Sequence, residues 1–150
     1  MTTMTNTAAN DQTAPSVSAG ALFGAGLLGG VASAVANLAL FFGSGAAGIS
    51  LEGMFQPGQP VASLSPVPVL ISSIVPAIPG TLLALLLVKF ARQRAALVFA
   101  VISAVFTVLS FGGPANVQGL STGGLVVMEL MHVVAAVGIG GALWRKLAGK

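Results

Sequence analysis

Two residues carry most of the chemistry in a chain that has little of it. Glu129 and His132 lie three positions apart in the run GGLVVMELMHVVAAVGIGGALWRKLAGK, and His132 is the single histidine among 150 residues. On a helix this spacing puts both side chains on one face. A carboxylate near an imidazole can hand over a proton, and with a serine the pair makes a formal hydrolytic set. Ser72 and Ser73 supply hydroxyls, but no nucleophile-elbow pattern surrounds either one, so no enzyme activity is expected. One His and one Glu give two ligands where a zinc site takes three or four, so no metal is expected. The pattern GxGxxG at Gly24, Gly26 and Gly29 has no strand before it, and no cofactor is expected. The chain has no cysteine, which removes disulfides, thiolate ligands and thiol nucleophiles together.

The elements that must position these residues are membrane spans. The chain is 55% hydrophobic and 6% charged with a mean hydropathy of +0.99, too apolar for a water-soluble domain. A net charge of +3 on so few cations reads as a topology signal beside apolar segments, and no nucleic-acid partner is expected. The lipid bilayer is the first partner. Apolar runs divide the chain into a polar tail at 1–16, expected to stay disordered, and a membrane domain at 17–150. Four spans are expected, near 17–42, 66–90, 95–113 and 123–146, each long enough to cross a core of about 30 Å. The fold class is an all-α, four-helix transmembrane bundle.

Each span has its own signature. Gly26, Gly30, Ser33 and Asn37 fall at intervals of four, three and four on the first, a small-residue face that another helix can approach closely. Ala136 and Gly140 continue the face of Glu129 and His132 on the last. The second carries Pro76 and Pro79, and a proline that lacks its donor predicts a kink near Pro76 and leaves the Ser72 and Val75 carbonyls seeking partners. The connection at 43–65 is rich in Gly and Pro, and its Ile49, Leu51, Met54 and Phe55 suit a short interfacial turn or a cap over the bundle.

Lys89, Arg92, Arg94, Arg145, Lys146 and Lys150 all fall on one side under this count, while the two opposite loops hold no Lys or Arg. The positive-inside rule then puts both termini in the cytoplasm, in a bacterial inner membrane. Counting depth from the span ends at about 1.5 Å per residue brings Asn37, Ser72, Ser73, Thr107, Glu129 and His132 to one level in the outer third to middle of the bilayer. Two readings compete for this layer. An ionisable pair in hydrocarbon is a functional candidate by default, here for proton handling in an oligomeric transporter or channel. The other reading, which is preferred, is a hydrogen-bonded knot that holds the helices together.

The phrases ISSIVPA at Ile71 to Ala77, FTVLSFGGP at Phe106 to Pro114 and MELMHVVAA at Met128 to Ala136 together resemble a family of small four-span bacterial membrane proteins, common in actinobacteria, of unknown function. That family carries a Met-His pair in its last helix, matched here by Met131 and His132. The resemblance covers about Gly20 to Leu147 and implies a four-helix membrane domain with no assigned activity. The functional expectation is a non-enzymatic membrane component that associates with itself or a partner.

Overall fold

The computed structural model describes residues 17–149, so the expected polar tail at 1–16 lies outside the described residues. Four stretches in it are long and apolar enough to cross a membrane: Ala19–Ala46, Pro66–Phe90, Arg92–Ala115 and Thr122–Leu147. The first is a single helix, α1 (Ala19–Ala46). Ser18 stands before it in extended backbone and its hydroxyl accepts from the Ala21 amide at 3.2 Å, taking up one of the free donors of the first turn. At the far end Gly48 turns left-handed, at φ +72°, where a side chain would be strained.

The second stretch is two helices, α2 (Pro66–Ile74) and α3 (Ala77–Phe90), meeting at Val75 and Pro76. Pro66 and Pro68 sit in the first turn of α2, where a missing donor costs nothing. At the junction the Val75 carbonyl accepts from Ile78 at 3.1 Å, three residues on, so a tightened turn satisfies one group that Pro79 would otherwise orphan. A short turn at Arg92–Arg94 then reverses the chain into α4 (Ala95–Ser110). This reversal holds Arg92 at φ +44°, a left-handed conformation costing a non-glycine residue about 1 kcal/mol. A further turn of helix, α5 (Gly112–Ala115), carries this stretch two residues past 113.

The last stretch begins at Ser121, whose hydroxyl caps the Gly124 amide at 3.0 Å. It runs as α6 (Thr122–Ala135), a π turn (Ala136–Gly140) and α7 (Gly141–Leu147). A π turn adds one residue to a helical turn and so rotates α7 about the axis relative to α6.

α1 is the centre of the bundle and packs against α2, α3, α6, the π turn and α7. Its buried residues include Gly26, Gly29, Gly30, Ser33, Ala34 and Asn37, so the face of small residues is the face that is covered. α4 stands to one side, against α3 and the last span. In hydrocarbon the transfer of an apolar side chain from lipid to protein gains little, so close packing and interhelical hydrogen bonds hold such a bundle. One buried cluster joins Leu22, Ala84, Phe99 and Leu143 at the end that carries Lys89, Arg92, Arg94, Arg145 and Lys146. A second joins Leu51, Val69, Val127 and Met131 toward the opposite end.

That opposite end carries the strands of the described residues. β1 (Glu52–Gly53) and β2 (Ala62–Ser63) form a small antiparallel hairpin, with Glu52 opposite Ser63. An isolated bridge ties Met54 to Gln118 in the loop before the last span, the Met54 amide donating to the Gln118 carbonyl at 2.8 Å. The Ser121 hydroxyl reaches the Ser50 carbonyl at 3.2 Å. Leu51 is buried beneath the hairpin, so the Gly- and Pro-rich connection lies over the bundle. Glu52 remains exposed and accepts from the Ser63 hydroxyl at 2.8 Å.

Candidate functional site

Polar side chains in a lipid-facing bundle must find partners, and the small-residue face of α1 shows how. Asn37 is 3% exposed and donates from Nδ2 to the Ser73 hydroxyl at 2.9 Å and to the Met131 carbonyl at 3.1 Å. One amide therefore links α1 to α2 and α6. Ser73 passes its own hydrogen to the Val69 carbonyl at 2.7 Å, so its oxygen is free to accept from Asn37. The orientation of the amide follows from chemistry. The Met131 carbonyl can only accept, so the amide nitrogen must face it. Asn37 Oδ1 is left buried without a partner among the described residues.

Beside this clasp lies a cavity of about 160 Å³ between α1, α2 and α6, lined by Asn37, Ser72 and His132 together with Leu64, Val69, Met128 and Met131. Ser72 is exposed at its rim, and its hydroxyl donates to the Val69 carbonyl at 3.2 Å. His132 is half-buried with Nδ1 at 2.8 Å from the Met128 carbonyl. Because a carbonyl has no hydrogen to give, Nδ1 is the donor in this contact.

Glu129 and Thr107 lie elsewhere. Residues 129, 133, 136 and 140 repeat at intervals of four, three and four, a face about 60° round the helix from His132. Val133, Ala136 and Gly140 on that face line a groove of about 450 Å³ against α4, whose wall includes Ala100, Ser103, Ala104 and Thr107. Glu129 is half-buried, and among the described residues no ion pair joins it to His132. Thr107 donates to the carbonyl of Ser103 in its own helix at 2.8 Å. The bundle thus brings Asn37, Ser72, Ser73 and His132 together, sets Thr107 in the groove beside α4, and leaves Glu129 outside the lining of both spaces.

The packing residues meet different partners. A Cβ on Gly26 would collide with the Thr81 hydroxyl, and one on Gly30 would lie 3.4 Å from the Ile74 Cα, so both glycines admit the second span. Ser33 donates to the Gly29 carbonyl at 2.7 Å and lies 3.4 Å from the Val134 carbonyl just before the π turn. A Cβ on Gly140 would lie 4.0 Å from the Ser103 Cβ across the groove. Sequence reasoning missed Thr81 and Gly138, and placed Gly29 in a glycine pattern without its packing partner. Gly138 belongs to the dense glycine run GIGG, which was the available signal for a close backbone approach.

Four apolar helices around a sparse polar interior, with cations gathered at one end, define a small multi-pass membrane protein. The chain belongs to a family of unknown function (DUF6069), whose model matches residues 17–149. An uncharacterised family is also what the sequence resemblance implied. No curated protein and no solved structure matches the chain.

Proposed function

We propose that this chain is a non-enzymatic component of the bacterial inner membrane that works by associating with a second copy of itself or with another membrane protein. The observation that carries the reading is the groove beside α4. Only 11% of the third span's apolar window is buried, against 39% of the first, and the groove walls include small residues on both sides, Ala100 and Ala104 on α4 and Ala136 and Gly140 on the last span. In hydrocarbon, small residues let a further helix close to van der Waals distance. Orientation with both termini in the cytoplasm is supported by the Lys and Arg residues at one end and their absence from both loops at the hairpin end.

The test is extraction in mild detergent followed by intact-mass measurement. A complex heavier than the 14.8 kDa single chain is expected, and Ala104→Trp should reduce it to the single chain without lowering the melting temperature. A chain that stays single and carries no foreign subunit overturns the proposal.

A second reading, an oligomeric proton-linked transporter or channel using Glu129 and His132, draws support from one observation. Glu129 shares the helix face that lines the groove and has no hydrogen-bond partner among the described residues, so association there would enclose an ionisable group. Proteoliposome proton flux that is lost in Glu129→Gln would favour it over the first.

A further inference from the structure

We infer that the end of the bundle formed by the reversal Arg92–Arg94 and the last turn of α7 binds the phosphate of an anionic phospholipid, whose acyl chains lie along the exposed faces of α3 and α4. The charges at this end have nothing to balance them. Lys89, Arg92, Arg94, Arg145 and Lys146 are all exposed. Both carboxylates among the described residues are remote. Glu52 is in the hairpin at the opposite end, and Glu129 precedes Arg145 by 16 residues, about 24 Å at 1.5 Å per residue. The Lys89 ammonium lies over the Phe90 ring at 5.3 Å, which leaves Arg92, Arg94, Arg145 and Lys146 without a side-chain partner among the described residues.

The fold gathers these four cations from two parts of the chain. α7 packs against both α3 and α4, the helices that the reversal joins. At this end the lining of the groove stops at Phe99 on α4 and at Trp144 on α7, which sets the two rings at about one level. Arg94 precedes Phe99 by five residues, and Arg145 and Lys146 directly follow Trp144, so all three lie within about 8 Å of that level along the bundle axis. Arg92 adds a separate sign. Its φ of +44° would be unstrained in glycine, yet an arginine stands there, and strain kept in an exposed turn marks a functional position. A guanidinium offers paired N–H donors that match phosphate oxygens.

The surroundings select a lipid over a dissolved anion. Leu86 and Phe90 on α3 and Leu97 and Val101 on α4 are exposed, Phe90 by 73%, and each stripe begins within a turn of the cations. Phosphate at the cations with acyl chains beside these residues is the form of an anionic phospholipid. A zwitterionic lipid brings an ammonium group that the same cations repel.

The full chain in mild detergent is titrated with phosphatidylglycerol and with phosphatidylcholine, and bound lipid is counted by intact-mass measurement. Phosphatidylglycerol is expected to saturate at a small whole number per chain and to bind at least about tenfold tighter than phosphatidylcholine. Arg92→Gly should weaken it about fivefold while leaving the melting temperature equal or higher, because glycine relieves the left-handed strain; a purely structural arginine would not give that split. Adding Arg94→Gln should weaken it about fivefold again, and Gln93→Ala should change nothing. Excess inorganic phosphate should leave the lipid in place, since it has no chains to seat beside Phe90 and Leu97. Equal affinity for the two lipids, binding without saturation, full retention in the Arg92→Gly, Arg94→Gln double variant, or displacement by inorganic phosphate each overturns the inference. If a variant fails to fold, the ratio of the two lipids in the unaltered chain decides. The site is separate from the groove, so Ala104→Trp should leave phosphatidylglycerol binding unchanged, and a chain that stays single should still bind it.

Discussion

Gly29 on α1 and Gly138 in the π turn meet backbone to backbone: a Cβ on Gly29 would lie 2.5 Å from the Gly138 carbonyl oxygen and 2.9 Å from the Ile139 Cα. A Cβ on Gly138 would in turn run into the Ser33 hydroxyl. Gly29→Ala should therefore destabilise the bundle by about 1–3 kcal/mol, the usual cost of overpacking a tight contact. Gly24, on the same helix with nothing within 4 Å, is the control, and Gly24→Ala should be neutral or slightly stabilising. Unfolding of both variants in mixed micelles reads the difference; equal stabilities would mean that the two helices are not in backbone contact.

The Asn37 clasp gives a second expectation. Asn37→Leu removes both interhelical bonds of the clasp, and it should cost about 1–3 kcal/mol. Ser73→Ala should cost less, because the Met131 bond survives. A double-mutant cycle between the two should show coupling of about 0.6 kcal/mol or more, the typical size of a hydrogen bond between spans. Additive effects would show that the two side chains do not share a bond in the membrane.

Glu129 behaves differently from Asn37. It has no hydrogen-bond or ion-pair partner among the described residues, so Glu129→Gln should leave the melting temperature of the single chain unchanged. Glu129→Leu should be neutral or stabilising, since it removes an ionisable group from hydrocarbon. A clear loss of stability in Glu129→Leu would instead put the carboxyl in a structural bond.

The absence of cysteine makes topology simple to measure. Gln59→Cys, in the exposed hairpin connection, should react with a membrane-impermeant maleimide on intact cells. Gln93→Cys, in the exposed reversal between α3 and α4, should react only after the membrane is opened. The opposite pattern would invert the orientation argued from Lys89, Arg92 and Arg94.

The long apolar runs made the four spans legible, because a helix must be about twenty residues long to cross hydrocarbon and little else satisfies its backbone there. The meeting of Asn37 with Ser73 was legible as depth: both were counted to the same level from the span ends. Depth carries no azimuth, however, and Thr107 at that level faces the groove beside α4. The three-residue step from Glu129 to His132 leaves about 60° between them, and only His132 of the pair lines the cavity against the first two spans. The hairpin was illegible because two-residue strands leave no alternation to read. The π turn was illegible too, since the sequence AVGIGGA has no residue that marks an inserted position.

The lateral position of α4 sets a mechanical order within the bundle. This helix gives Ala95 and Phe99 to the buried interior, whereas α1 gives nine residues to it. A sideways force on the protein therefore meets little resistance at α4 and a great deal between α1 and its neighbours. The short reversal at Arg92–Arg94 anchors α4 at its start, and beyond its far end the bridge from Gln118 to Met54 anchors the loop leading into α6. Held at both ends and thinly seated between them, α4 is a hinged panel on a three-span block. It is the member that yields first when anything enters beside it.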